Sequence, residues 1–205
     1  TIVEMLDHLR RLQQSAGLYY LELPYSAEEM RQATHGLLSR CGLGSAYIRP
    51  IAFRGYGSLG LFAKDAPVEV VIAAFPWGAY LGEESAGRGI RAKVSSWRRI
   101  SPGGSIPHAK ASGSYLNSIL AKTESHNSGY DEAILLDERG FVCEGSGENI
   151  FLVREGEIVT PPHVASITKQ PCEFSNHFLA IDFAGLARWL FRDYVAQSRC
   201  RVPAD

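Results

Sequence analysis

The sequence predicts a two-domain chain of the α+β or α/β class, on three observations. Apolar residues recur at helical spacing in some segments and alternate in others. These segments fall into two blocks, separated by the glycine-rich, aperiodic stretch Trp77 to Gly89. The 205 residues are 45% apolar and 21% charged, which is enough for one large or two small cores.

In chain order, Leu6, Leu9, Leu12 and Ala16 predict an opening helix with Arg10 and Arg11 near its middle. Ser26-Ala27-Glu28-Glu29 has the pattern of a capping box, in which a serine hydroxyl and a glutamate carboxylate satisfy amides left free at a helix start. The helix it starts should bury Met30, Ala33, Leu37, Leu38 and Cys41, and Gly42 should end it. Ala46 to Phe53 and Val68 to Phe75 are strand-like, and Pro50 marks an edge or a bend in the first. The second block opens with a strand over Ile90 to Ser96 and continues, after a turn cluster at Ser101 to Ser105, with a helix over Tyr115 to Ser128 that should bury Leu116, Ile119 and Leu120. Glu132 to Leu136 and Phe141 to Cys143 flank the hairpin signature Asp137-Glu138-Arg139-Gly140. Asn149 to Arg154 and Ile158 to Thr160 flank a second one at Glu155-Gly156. A last helix is expected from Asp182 to Gln197.

Several function classes are disfavoured by composition. Twenty-one basic and twenty-two acidic residues give a net charge of −1, without the basic excess of nucleic-acid binders. The locally basic run Arg88, Arg91, Lys93, Arg98 and Arg99 reads as a solvated strand edge and loop. The four cysteines form no CxxC pair, and the six histidines form no HxxxH or HxH pair, so no metal site is expected. Without a disulfide signature or a leader-like segment, a cytoplasmic location is the default. Phe178 to Val195 is the longest apolar candidate, but Asp182, Arg188, Arg192 and Asp193 interrupt it, so no membrane span is expected. The chain starts at Thr1 without an initiator methionine, which reads as a trimmed or partial sequence.

Two residues stand out as carriers of chemistry. Lys110 sits among Ala109, Ala111, Ser112 and Gly113, just ahead of a helix. A nucleophilic lysine wants a desolvated place and room for a bulky partner, and small neighbours supply that room; an ordinary surface lysine fits the same context. Glu144 opens Glu144-Gly145-Ser146-Gly147-Glu148-Asn149. Its glycines allow close approach of a ligand, and a carboxylate held there suits a cationic ring; a tight loop with solvated acids is the alternative. Neither Ser112 nor Ser146 lies in a Gly-x-Ser-x-Gly elbow, and no phosphate loop is present.

Taken in order, a set of motifs resembles the branched-chain amino-acid aminotransferases, which are pyridoxal-phosphate enzymes of fold type IV. The motifs are Ser45-Ala46-Tyr47-Ile48-Arg49-Pro50, Ala73-Ala74-Phe75-Pro76-Trp77-Gly78-Ala79-Tyr80-Leu81-Gly82, Ala109-Lys110-Ala111 through Tyr115-Leu116, Glu144 to Asn149, and Thr160-Pro161-Pro162. The match runs from about Asp7 to Ser166. It implies a small α+β N-terminal domain over residues 1–83 and an incomplete pseudo-barrel over residues 84–166 that binds the cofactor. It also implies transfer of the amino group of leucine, isoleucine or valine to 2-oxoglutarate, and homo-oligomeric assembly. D-amino-acid aminotransferases and aminodeoxychorismate lyases share the fold and are the alternatives within it.

The resemblance also assigns roles. Lys110 matches the lysine that forms the Schiff base with pyridoxal 5'-phosphate and moves the substrate proton. Glu144 matches the acid facing the pyridine nitrogen, and Tyr115 matches the tyrosine on the ring hydroxyl oxygen. Arg11 matches the arginine that binds the phosphate. Tyr47, Arg49 and Tyr80 match substrate-pocket residues, with Arg49 meeting the distal carboxylate of glutamate.

After Ser166 the resemblance stops. The family's Pro-Gly-Ile-Thr-Arg-like helix start, whose amides hold phosphate, is replaced by Ile167-Thr168-Lys169-Gln170-Pro171-Cys172-Glu173-Phe174. Residues 167–205 therefore read as an unrelated tail with one possible helix, and family segments are expected to be missing at both ends. Weak cofactor binding and an inactive or degenerate fragment follow as the competing expectation.

Overall fold

The computed structural model describes residues 2, 4–76, 89–154, 157–161 and 178–181, with side chains for those up to 152 and for 159–161. It divides into two compact units, Thr1–Ala79 and Tyr80–Asp205. Residues 77–88 of the glycine-rich stretch, Tyr80 included, lie outside the described residues, as does the expected helix from Asp182 to Gln197.

The first unit holds helices α1 (Met5–Leu18) and α2 (Ala27–Cys41) and strands β1 (Tyr47–Arg54) and β2 (Val68–Phe75). Leu9 and Ala16 are buried on α1, the spacing that predicted the helix. Its end is a Schellman motif: Tyr20 N–H donates to the Gly17 carbonyl at 3.0 Å and Leu21 N–H to the Ala16 carbonyl at 2.9 Å. The motif needs a left-handed residue, and Tyr20 supplies it at φ 58° where glycine is usual. Tyr20 is 87% exposed, so its side chain returns little packing. Tyr20→Gly is expected to stabilise the unit by about 1 kcal/mol, read as a raised midpoint in chemical denaturation.

The capping box of α2 forms as expected. Glu29 N–H donates to Ser26 Oγ at 3.2 Å, and Ser26 N–H donates to Glu29 Oε2 at 2.8 Å. Gly42 ends the helix at φ 64°. The buried face is narrower than the sequence suggests: Met30 and Thr34 are buried, whereas Ala33 and Cys41 are exposed. Thr34 is accommodated because its hydroxyl donates to the Met30 carbonyl at 2.8 Å, leaving no unmet polar group. β1 and β2 pair antiparallel without a register slip, from Tyr47 opposite Phe75 to Arg54 opposite Val68. Among the described residues each strand of this sheet pairs on one side only, which suits Pro50 in β1.

The second unit contains β3 (Ala92–Arg98), a 3-10 turn (Ser112–Ser114), α3 (Tyr115–Asn127), β4 (Glu132–Leu136), β5 (Val142–Gly145), β6 (Asn149–Arg154), β7 (Glu157–Val159) and β8 (Phe178–Ile181). One sheet runs β3-β4-β5 and another β7-β6-β8. β3 and β4 are parallel with α3 as their connection, and β4 turns back antiparallel into β5 at the expected hairpin. β4 is buried along its whole length. Ile134 and Leu136 face a core with Val142, Ile150, Leu152 and Val159, while Ala133 and Leu135 face Ala121 of α3. Burial on both faces explains the unbroken apolar run Ala133-Ile134-Leu135-Leu136.

α3 packs the opposite way from the sequence expectation. Leu116, Ile119 and Leu120 are 67%, 59% and 45% exposed, whereas Asn117, Ser118, Ala121 and Ser125 are buried. Small residues win this face because they let the helix approach β3 and β4 closely and because Asn117 and Ser118 hydrogen-bond beneath it. Glu124 staples the same helix to β3. It accepts from Ser95 Oγ at 2.6 Å and Ser96 N at 3.0 Å and pairs with Lys93 Nζ at 2.8 Å. The Lys93 ammonium, then these donors, hold its carboxyl down at about 2. A lowered acid stabilises the fold above its unfolded value of 4.5 and loses that contribution as pH falls toward 2. Glu124→Gln should cost about 1–2 kcal/mol at pH 7, allowing for the partial exposure of the pair, and much less at pH 2–3. Denaturation midpoints at the two pH values test this.

The tail contributes to the sheet. Phe178–Ile181 runs parallel to β6, with Asn149 opposite Phe178 and Leu152 opposite Ile181. The sequence reading has no strand there. Its apolar Phe-Leu-Ala-Ile run suits a strand as well as the start of a helix, and short apolar runs do not distinguish the two.

Candidate active site

In the second unit, the segment before α3 presents Lys110. Ala109 is fully buried and anchors the loop, with its N–H bonded to the Ile106 carbonyl at 3.1 Å. Ala111 N–H bonds back to the Ala109 carbonyl at 2.9 Å, so the backbone on both sides of Lys110 is pinned. The Lys110 side chain is exposed rather than desolvated. Tyr115 opens α3 and is half-buried.

Glu144 is 2% exposed on β5, opposite Leu135. Arg99 Nε lies 2.8 Å from its Oε1. Nε has no aligned hydrogen-bond acceptor among the described residues, so this contact is a charge pair more than a directed bond. The rest of the guanidinium is anchored: Nη1 donates to Asn117 Oδ1 and Ser118 Oγ, each at 3.1 Å. Asn117 Nδ2 in turn donates to the Arg98 carbonyl at 2.9 Å. Glu144 is thereby tied through Arg99 to the first turn of α3, the turn that Tyr115 opens and Lys110 precedes. Glu144 and the helix turn that Tyr115 opens thus belong to one connected framework.

Arg99 corrects the sequence reading of a solvated basic run. It is 7% exposed and paired, whereas Arg91 and Arg98 are exposed. Its buried state follows from its place just past the end of β3, where its N–H bonds the Leu136 carbonyl at 2.8 Å. Composition marks a run of cations but not which one turns inward. Glu132 and Glu148, at 0% and 2% exposed, are likewise buried acids with no sequence-assigned role. The available signal for Glu132 was its position at the head of a doubly buried apolar run. Cys143, beside Glu144, is an inert thiol: burial, then the charges of Asp137 and Glu144, push it up to about 12.

In the first unit, Tyr47 and Arg49 lie on one face of β1. The Arg49 guanidinium carbon sits 5.3 Å from the centre of the Tyr47 ring, and the Tyr47 and Phe75 ring centres are 5.5 Å apart. Arg11 is half-buried on α1. Tyr80 lies outside the described residues.

The donor set of the second unit fits pyridoxal phosphate. It offers a primary amine at Lys110 in a small-residue loop, a phenol at Tyr115, and at Glu144 a buried carboxylate paired with Arg99. Among the described residues no metal-ligating cluster occurs, and no helix is long and apolar enough to cross a membrane.

The chain is similar to known proteins along most of its length. The family model described as amino-transferase class IV matches residues 1–170. The branched-chain-amino-acid aminotransferase of Pseudomonas aeruginosa is 43% identical over 166 residues, which is 81% of this chain and 54% of that protein. The crystal structure of the Escherichia coli branched-chain amino acid aminotransferase superposes with a TM-score of 0.77 at 42% identity, covering 78% of this chain and 53% of that one. The branched-chain amino acid aminotransferase of T.th., solved with pyridoxamine 5'-phosphate, gives 0.75 at 43% identity over 80% of this chain and 54% of that one. That relative was also solved with N-(5'-phosphopyridoxyl)-L-glutamate and with 4-methylvaleric acid. The chain spans about half the length of the relatives it matches. It has the α+β structure of fold type IV aminotransferases over that half, and it belongs to the class IV aminotransferases, as a homologue of the branched-chain-amino-acid enzymes.

Proposed function

We propose that this chain carries the cofactor-holding half of a transaminase that moves the amino group of leucine, isoleucine or valine to 2-oxoglutarate by way of pyridoxal 5'-phosphate. The observation that carries the proposal is the framework Glu144–Arg99–Asn117/Ser118, which fixes a buried carboxylate relative to the turn bearing Tyr115 and following Lys110. When bound, the cofactor supplies an electron sink for the bonds at the substrate α carbon. Lys110 attaches the cofactor through its amine and moves the α proton. Glu144 accepts the pyridinium N–H, and Tyr115 donates to the ring oxygen. Arg11 binds the phosphate as a charge-assisted partner. Tyr47 and Tyr80 wall an apolar side-chain slot, and Arg49 takes the distal carboxylate of glutamate. Homo-oligomeric assembly and a cytoplasmic location belong to the same proposal.

A second reading, that the chain is a poorly active or inactive member, rests on one specific feature. Where the resemblance calls for Pro-Gly-Ile-Thr-Arg at a phosphate-holding helix start, the chain reads Ala165-Ser166-Ile167-Thr168-Lys169, which keeps the threonine but lacks the glycine. Both readings meet one experiment. The purified chain is mixed with pyridoxal phosphate, and the visible cofactor band is recorded for the wild type and for Lys110→Ala. A lysine-dependent band that bleaches on adding leucine, with glutamate formed on adding 2-oxoglutarate, is expected from the first reading. A band that needs at least about tenfold more cofactor than complete relatives and gives no glutamate supports the second; loss of one phosphate site of about 1.4 kcal/mol suffices for that factor. No band, or the same band in Lys110→Ala, overturns the role given to Lys110.

A further inference from the structure

Behind Glu144, the turn from β5 into β6 is held by two acids that the catalytic roles above leave unused. Glu132, fully buried at the head of β4, accepts at Oε1 from Ala133 N–H at 2.7 Å and from Ser146 N–H at 3.1 Å. Its Oε2 receives the Lys122 ammonium of α3 at 2.5 Å, and the same ammonium donates to the Asp131 carbonyl at 2.7 Å. Glu132 thus reaches from one strand to the tip of the turn that follows Glu144. The turn is tight: Gly145 N–H bonds the Glu148 carbonyl at 2.8 Å across Ser146-Gly147.

Glu148 folds back into the same place. Its Oε2 lies 2.8 Å from where a Cβ on Gly145 would stand, which is why that position is glycine. Its Oε1 is buried and has no donor among the described residues. Its carboxyl is within hydrogen-bonding reach of the Glu132 carboxyl. With both side chains buried and the Lys122 ammonium bonded to Glu132, the Glu148 carboxyl keeps its proton and can donate it to Glu132. Lys122 from α3 and Glu132 from β4 are the charged groups that act on Glu148, with the Glu144–Arg99 pair further along the same hairpin.

We propose that Glu132 and Glu148 form a buried carboxyl pair that shares one proton and acts as a positioning device, clamping the Ser146-Gly147 turn so that Glu144 is held in place. That Glu144 serves the cofactor rests on the proposed function; the proton sharing and the clamp do not. Burial, then the Glu132 charge, raises the Glu148 carboxyl to about 7. A raised acid favours the fold below its unfolded value of 4.5, and this contribution is lost as pH rises through about 7.

The test uses the whole chain with 13C-labelled glutamate side chains. One carboxyl signal is expected to titrate near neutral pH in the wild type and to vanish from that range in Glu148→Gln, whose amide donates to Glu132 without titrating. Amide exchange at Ser146 and Gly147 is expected to be slow in the wild type and in Glu148→Gln, and at least tenfold faster in Glu148→Leu, which cannot donate. If Glu148→Leu does not fold, Lys122→Met serves instead: removing the cation should move the shared titration to higher pH. The absence of any glutamate carboxyl titrating above pH 6, or its persistence in Glu148→Gln, overturns the proposal. So does unchanged exchange in Glu148→Leu, or an unmoved titration in Lys122→Met. A cofactor band absent from the wild type while these results hold removes the function assigned to Glu144 and leaves the clamp standing.

Discussion

Arg99→Leu is expected to destabilise the second unit by about 3–5 kcal/mol, the cost of leaving one partner of a buried ion pair uncompensated. Both side chains are almost fully buried, at 5% and 2%. The substitution also strips partners from Asn117 Oδ1 and Ser118 Oγ, which accept from the same guanidinium. The loss should be only partly restored by Arg99→Leu/Glu144→Leu, which removes both charges but leaves those two polar groups unmet. Urea denaturation of the wild type, both single variants and the double variant gives the coupling energy directly. Additive costs would show that the 2.8 Å contact contributes nothing. Under the proposed function, Arg99→Lys should keep more of the fold than Arg99→Leu yet still weaken the cofactor band. A lysine cannot span Glu144, Asn117 and Ser118 at once.

Gly145→Ala should cost about 2–3 kcal/mol, although alanine is ordinarily well tolerated in exposed strands. The new methyl would stand 2.8 Å from Glu148 Oε2 and 3.3 Å from the Glu148 carbonyl oxygen. An exposed glutamate would swing away at little cost, but Glu148 is 2% exposed and has no room to move. The strain should therefore fall markedly when Glu148 is shortened. The measurement is a double-mutant cycle between Gly145→Ala and Glu148→Ala by denaturation. A cost below about 1 kcal/mol for Gly145→Ala, or equal costs in both backgrounds, would mean that the turn relaxes without involving the carboxyl.

The parts of this protein that were legible beforehand are those governed by neighbours in sequence. The capping box at Ser26 and Glu29, the Gly42 stop and the Asp137-to-Gly140 turn depend on contacts within a few residues, and each formed as read. The strands β1 and β2 also lie where their apolar runs placed them, while their antiparallel pairing and register came from the structure. The family also followed from the order of short motifs, because the chemistry assigned to them needs particular residue types at particular places.

What failed was the direction of side chains that answer to distant partners. The apolar residues Leu116, Ile119 and Leu120 point outward from α3, because Asn117, Ser118 and Ala121 fit closer to β3 and β4. Arg99 differs from Arg98 only by one step along the chain, yet one is buried and the other exposed. Residue type and local period thus determined the helices α1, α2 and α3 and the hairpin at Asp137 to Gly140, while Lys110, Tyr115 and Glu144 were picked out as a set by the resemblance. Only the tertiary structure decided that Arg99 pairs with Glu144 and that Glu132 reaches the Ser146 amide behind it. Those contacts join residues 14 to 45 positions apart, and electrostatics in a buried site depends on which charges are brought together in space, which no local pattern encodes.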